Sequence, residues 1–207
     1  IVASLVGSEM CIRDSGYTNP YLSFFNKQNK NLQISAMQPE FLDGNVKEKH
    51  DFDHQIIHEY FLPLDPSSVD VVISAHLLEF VDKPQSSIEE IWRILKPNGL
   101  FLTVIPRRSG IWTRYDNNPF GFGRSYSIKQ FKSLIQDFLV LDYRKSFLHF
   151  PPWDHYLNYK SHRTIEKIGD FFFPYMGGLM ICVCKKIVYA KSTKKQKKIP
   201  IKSFVAT

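Results

Sequence analysis

The clearest hydrophobic pattern in the chain lies between Val69 and Pro106. Residues 69–75 read Val-Asp-Val-Val-Ile-Ser-Ala and are apolar at nearly every position after Asp70. That is the pattern of a strand covered on both faces, as in a parallel sheet. A loop with polar ends follows, His76-Leu77-Leu78-Glu79. Ile88, Ile91, Trp92 and Leu95 then recur at helical spacing and predict a helix over 86–95, with Asn98-Gly99 as its stop signal. A second apolar run over 100–105 predicts the next strand. Strand, helix and strand in this order build a parallel α/β sheet, whose ligands bind beyond the carboxyl ends of its strands. The loop after Ala75 is therefore the first place to look for chemistry.

The same periods extend the pattern in both directions. A short helix is predicted over 20–27, with Tyr21, Leu22, Phe24 and Phe25 as its apolar face. Strands are predicted over 32–37 and 55–58. Ser127 is placed to cap a helix reaching 138, with Phe131, Leu134, Ile135 and Phe138 turned inward. A weakly alternating strand over 140–147, a helix over 159–172 and a β-branched strand over 178–189 complete the set. No internal repeat is visible. The first fifteen residues stand apart from the rest: Leu-Val-Gly-Ser-Glu-Met-Cys-Ile-Arg-Asp-Ser resembles translated sequencing-adapter read-through. The expected organisation is a foreign leader over 1–15, one partial domain over 16–190 and a tail over 191–207.

Composition narrows this picture. The chain has 207 residues and is 43% hydrophobic and 14% aromatic, which supports a globular core and argues against a disordered chain. The formal charge is +7, but eight lysines and no acid lie from Lys185 onward, so the remainder carries −1. The basicity belongs to a tail without hydrophobic period, expected to be disordered and solubilising. Three cysteines are too few for a disulfide framework, and Cys182 and Cys184, two apart, share one face of a strand. A reducing, cytoplasmic compartment is the expectation. No apolar run approaches the ~18 residues of a membrane span, and the first residues show neither a basic n-region nor a clear cleavage site.

The ordered motifs then meet a known family. Leu62-Pro63-Leu64, Ser68-Val69-Asp70, His76-Leu77-Leu78-Glu79 and Trp92-Arg93-Ile94-Leu95-Lys96-Pro97-Asn98-Gly99 resemble the class I S-adenosylmethionine-dependent methyltransferases, the type 11 group in particular. Asn98 stands where that group has the first glycine of a Pro-Gly-Gly. Gly16-Tyr17-Thr18-Asn19-Pro20, Pro106-Arg107-Arg108-Ser109-Gly110-Ile111-Trp112 and Pro119–Ser127 look like an uncharacterised bacterial branch of the family. The resemblance implies a Rossmann-like α/β sheet, mostly parallel with an antiparallel last strand. Its first strand is missing here or replaced by the leader. That strand is central in the family, so its slot should take an apolar piece of the leader, 1–6 or 10–12.

The resemblance also implies methyl transfer from S-adenosylmethionine as the activity, and it assigns cofactor contacts residue by residue. Gly16 matches the last glycine of the family's Gly-x-Gly turn, with Tyr17 beside it. Met37 stands where an acid usually holds the ribose hydroxyls, His58-Glu59 where an acidic pair faces the adenine, and Ala75-His76 under the methionine end. His76 also carries the one side chain near this loop whose ordinary titration suits a general base; lining the pocket is the plainer role. Arg107, Arg108 and Arg124 follow the fifth strand, where the acceptor pocket is shaped, and guanidinium groups grip carboxylates and phosphates. An acidic small-molecule acceptor follows. His50, His54 and His58 would share a helix face as metal ligands, but a strand over 55–58 scatters them, so no metal is expected. Two other readings remain: a non-catalytic S-adenosylmethionine-fold subunit, and a nucleic-acid binder acting through the lysine tail, the less favoured of the two.

Overall fold

The computed structural model describes residues 11–15, 33–39, 54–58, 60–110, 112–114, 123–149, 159–173, 177–186 and 188. The element order is β1 (Cys11–Ser15), β2 (Gln33–Pro39), β3 (His54–Ile57), β4 (Val69–Ala75), α1 (Pro84–Ile94), β5 (Leu95–Pro106), a 3-10 turn (Trp112–Arg114), α2 (Ile128–Ile135), β6 (Leu139–Phe147), α3 (Tyr159–Phe172) and β7 (Leu179–Lys186). One seven-stranded sheet runs in the order β3-β2-β1-β4-β5-β7-β6. The β1–β2, β1–β4, β2–β3 and β4–β5 pairs are parallel, and β7 is antiparallel to both β5 and β6. This is the α/β sheet expected from the sequence, with an antiparallel last strand.

The central slot is filled by β1, within the first fifteen residues. Cys11–Ser15 pairs with Gln33–Met37 on one side and, through Ile12–Asp14, with Val71–Ile73 on the other. The expected 10–12 window meets this strand at Cys11 and Ile12. The strand then continues through Arg13 and Asp14, which hydrophobic pattern alone would not place there. Backbone pairing explains it: an empty slot would leave unpaired donors and acceptors on the facing edges of β2 and β4.

The apolar runs of β4 and β5 behave as read. Val72, Phe101, Ile105, Met180, Cys182 and Cys184 lie in one cluster with Ile88, Ile91 and Ile94 of α1 and Phe131 and Ile135 of α2. Ala75, Val104 and Leu179 form a second cluster with Leu102, Phe147 and Ile181. Cys182 and Cys184 are free, fully buried and on the first of these faces, and burial pushes the Cys182 thiol up to about 12. The α2 cap is also as expected: Ser127 Oγ accepts from the Gln130 amide while the Gln130 side chain accepts from the Ser127 amide.

Some boundaries differ from the pattern. α1 ends at Ile94, and 95–99 already belongs to β5. Pro97 disfavours helical backbone at Lys96, so the helix stops four residues before Asn98-Gly99. Val69 pairs with Leu95 and Val71 with Leu100, so 96–99 bulges out, with Asn98 at φ 64°. α2 ends at Ile135, three residues short of expectation, and β7 ends at Lys186. The predicted helix over 20–27 and the lysine tail lie outside the described residues.

Side-chain staples fix the crossings. Arg93 donates to the Leu62 and Leu64 carbonyls and pairs with Glu90 at 2.7 Å, and Glu90 accepts from the Leu62 amide. Burial raises the Glu90 pKa, but the Arg93 and Leu62 bonds outweigh it and hold the carboxyl below its usual range. The Leu-Pro-Leu segment is thus tied to α1. Lys186 Nζ donates to the Trp92 and Leu95 carbonyls, closing the end of α1, and lies 4.4 Å over the Trp92 ring. Glu166 of α3 accepts from the Leu148 and His149 amides and from His149 Nδ1 at 3.1 Å, while Asp170 pairs with Lys145. That cluster is a staple between β6 and α3.

Ser74 on β4 and Thr103 on β5 are register partners, both fully buried, and neither hydroxyl has a hydrogen-bond partner. An unpaired buried hydroxyl costs stability. Thr103→Val keeps the shape and removes that cost, so it should raise the unfolding free energy by about 1 kcal/mol, read as a higher urea midpoint at unchanged m-value.

Candidate functional site

The carboxyl ends of the parallel strands lie side by side. Ser15 pairs with Met37, Met37 with Gln55, and Ala75 with Val104, so the ends of β1, β2, β3, β4 and β5 share one edge of the sheet. The chain reverses its direction of travel through the sheet at β1 and β4, which are adjacent although far apart in sequence. A crevice at such a switch point is where open α/β sheets take ligands.

Met37 is 2% exposed and Ile57, also buried, closes the end of β3 beside it. This makes the β2–β3 side of the edge apolar. His58 is exposed, with Tyr60 against its ring at 5.3 Å between centroids. Ala75 is fully buried and adds no bulk at the end of β4. Gly16, Tyr17 and Glu59 lie outside the described residues. His54 lies in a strand, as the scattering of the three histidines required, and His50 is outside the described residues.

The polar part of the edge comes from the loop after β4. His76 continues the pairing with β5, its amide donating to the Val104 carbonyl, and then turns into the left-handed region at φ 61°. Such backbone is uncommon outside glycine and is typical of tight functional turns. The turn brings His76 Nδ1 to 2.7 Å from Glu79 Oε1. Glu79 is buried at 5% exposure, and its Oε2 has no hydrogen-bond partner. Burial raises the Glu79 pKa, against the opposing pull of the His76 hydrogen bond and charge.

A ribbon over 123–126 holds this loop down. The Glu79 carbonyl accepts from the Arg124 amide, and the Leu78 carbonyl accepts from the Tyr126 hydroxyl at 2.7 Å. Tyr126 then bridges to the end of β5, its amide donating to Pro106 and its carbonyl accepting from Arg108. A Cβ at Gly123 would stand 3.0 Å from the Glu79 side chain, so the ribbon passes directly over that carboxyl. Burial raises the Tyr126 phenol pKa, partly offset by Arg124.

The three arginines separate in the structure. Arg108 and Arg124, both exposed, are joined through the Tyr126 backbone on one ledge beside the His76–Glu79 pair. Arg107 turns to the other strands, donating to Ser109 Oγ and, at 2.7 Å, to Ser146 Oγ on β6. In the sequence Glu79 stands only as the last residue of the polar-ended loop His76-Leu77-Leu78-Glu79. Its burial and its bond to His76 were encoded only in the three-residue spacing. Tyr126 carried no signal of its own. A cavity of about 500 Å³, lined by Phe61, Leu62, Leu64, Asp65, Val69 and Arg93, lies at the opposite end of β4 and is separate from this edge.

The donor set suits S-adenosylmethionine. The edge is apolar at Met37, Ile57 and Ala75 and carries one carboxyl at Glu79, a character that fits a ligand with a flat base at one end and a positive centre at the other.

The raised Glu79 pKa fixes a sign. The folded protein holds this proton more tightly than the unfolded chain, so the contribution to stability is full below the unfolded value and is lost as pH rises through the folded value. Glu79→Gln keeps the shape without the charge. It should melt above the parent at pH 8, with the gap closing towards pH 4, in paired thermal scans.

Comparisons with known proteins agree with this geometry. Residues 16–103 match the family described as Methyltransferase domain. An S-adenosylmethionine-dependent methyltransferase from Thermotoga maritima superposes with a TM-score of 0.60 at 18% identity, covering 89% of this chain and 86% of that one. The methyltransferase bound to the Trm112 activator of Haloferax volcanii gives 0.59 at 16% identity, covering 88% and 85%. A geranyl diphosphate C-methyltransferase from Streptomyces coelicolor A3(2), solved with S-adenosyl-L-homocysteine, gives 0.56 at 14%, covering 88% and 71%. No curated protein matches the sequence. Over residues 16–103 the chain is similar to a methyltransferase domain, and its sheet has the fold of the S-adenosylmethionine-dependent methyltransferases on which it superposes.

Proposed function

We propose that this protein transfers a methyl group from S-adenosylmethionine to a small acceptor that bears an anionic group. The observation that carries the reading is the single strand edge that unites Met37, Ala75, His76 and Glu79 with the Arg108–Arg124 ledge. S-adenosylmethionine supplies an electrophilic methyl on a good leaving group, so the protein's work is alignment and exclusion of water. Met37 and His58 flank the adenine end, with Gly16, Tyr17 and Glu59 assigned beside them by family resemblance. Ala75 and His76 sit under the methionine end. Arg108 and Arg124 hold the acceptor's carboxylate or phosphate, because guanidinium pairs with both in a planar, bidentate way. Arg107 serves the fold through Ser146. Among the described residues no helix is long and apolar enough to cross a membrane. The two buried free thiols suit a reducing compartment such as the cytoplasm.

Calorimetry with S-adenosylmethionine tests the cofactor part, and no heat of binding at millimolar ligand would remove it. For the acceptor, the protein is incubated with methyl-labelled cofactor and pools of small carboxylates, phosphates and neutral compounds. Label should enter the anionic pools. Arg124→Ala should raise the acceptor KM at least tenfold while leaving cofactor affinity unchanged, as loss of a charge-assisted contact of ~1.5–3 kcal/mol requires. Label entering only neutral compounds would end the anionic-acceptor reading.

A further inference from the structure

We propose that His76 and Glu79 form a proton-accepting dyad in the site, so that the reacting atom of the acceptor is an O–H or N–H group that gives up its proton to His76. The inference rests on the methyltransferase reading and names the chemistry of its acceptor.

Several independent features of the loop point the same way. His76 follows the last residue of β4 at the switch-point edge, in left-handed backbone that orients its ring back over the loop. Nδ1 lies 2.7 Å from Glu79 Oε1, a short bond to a group that is 5% exposed. A carboxylate at that distance accepts the Nδ1 proton, which puts the lone pair of the neutral ring on Nε2 and stabilises the cation once Nε2 is protonated. Glu79 is itself a poor stabilising element, since it is buried with one oxygen unpartnered, and only its hydrogen bond and charge pairing with His76 favour the carboxylate against the pull of burial. A buried acid kept at such a cost, paired with an imidazole in a strand-end crevice, marks a functional site. The surroundings fix the pair: the Arg124 amide and Tyr126 hydroxyl hold the carbonyls of Glu79 and Leu78, and Gly123 leaves room only for the Glu79 side chain. Among the described residues, the Tyr126 phenol faces Glu79 and is itself hydrogen-bonded to the Arg124 side chain.

The step balances without another reactant. The acceptor's lone pair forms the bond to the methyl carbon, and the sulfur–methyl bond breaks with its electrons staying on sulfur. The acceptor's proton passes to His76 Nε2 and leaves to solvent. Glu79 is a positioning residue here, acting through His76. An acceptor whose nucleophile is already a free anion, such as a carboxylate oxygen, would not use the dyad.

Three measurements on the full chain separate the outcomes. Calorimetry with S-adenosylmethionine comes first and reports only on the underlying reading. Nitrogen-15 spectra of the imidazoles then read the His76 tautomer without any acceptor. The expected result is a proton on Nδ1, with ring resonances that move in Glu79→Gln. A proton on Nε2, or ring resonances unmoved in Glu79→Gln, overturns the dyad. Methyl transfer to small anionic hydroxy and amino compounds gives the third. His76→Gln should cut kcat at least ~100-fold and abolish the rising alkaline limb of the rate. Glu79→Gln should lower kcat about tenfold and shift that limb. Turnover by His76→Gln at the parental rate and pH profile, or label entering only compounds without an O–H or N–H nucleophile, overturns the proposal.

Discussion

Everything in this fold depends on filling the slot between β2 and β4 with hydrogen-bonding backbone. A parallel sheet gains its order from uninterrupted ladders, and its central strand is paired on both sides. Cys11–Ser15 does this with a sequence that few would pick as a central strand, two charged residues in five positions. The slot selects for an extended backbone first and for side chains second. With the slot filled, the strand ends line up and the direction of the chain reverses between β1 and β4, the kind of switch point at which open α/β sheets take ligands.

From that edge outward, the site is a balance between pattern and exception. The body of β4 and β5 is apolar and packs as any buried strand would. The exceptions collect at one end: left-handed backbone at His76, a buried carboxyl at Glu79, and a short ribbon whose amides and phenol bind the loop's carbonyls. The first two reduce stability, and the ribbon's hydrogen bonds offset part of that cost. Local departures from good packing that gather beside a switch point are what a functional loop looks like in physical terms. The Arg93–Glu90 and Lys186 staples do the opposite work at the other end of α1, where they close backbone groups and support the sheet.

Much of the fold was legible because it rests on local periods. The helix over 159–172 and the strand over 69–75 were found at their observed bounds, and the Ser127 cap follows from the chemistry of one side chain. The helix expected to reach Leu95 ends at Ile94, one residue earlier, because Pro97 already disfavours helical backbone at Lys96. The arginines after β5 looked equivalent in sequence. Arg107 differs from the other two in donating to Ser146, thirty-nine residues away, a contact that no local pattern records.

The sequence by itself determined the element types, the parallel character of the central strands and the family resemblance, since periodicity and short motifs need no knowledge of distant contacts. It also placed His76 at the end of β4. Only the tertiary structure decided that Glu79 is buried against that histidine, that Tyr126 crosses to Leu78, and that Arg108 and Arg124 share a ledge without Arg107. Burial and long-range pairing are set by how the sheet closes around the central slot, and no local pattern of side chains records that closure.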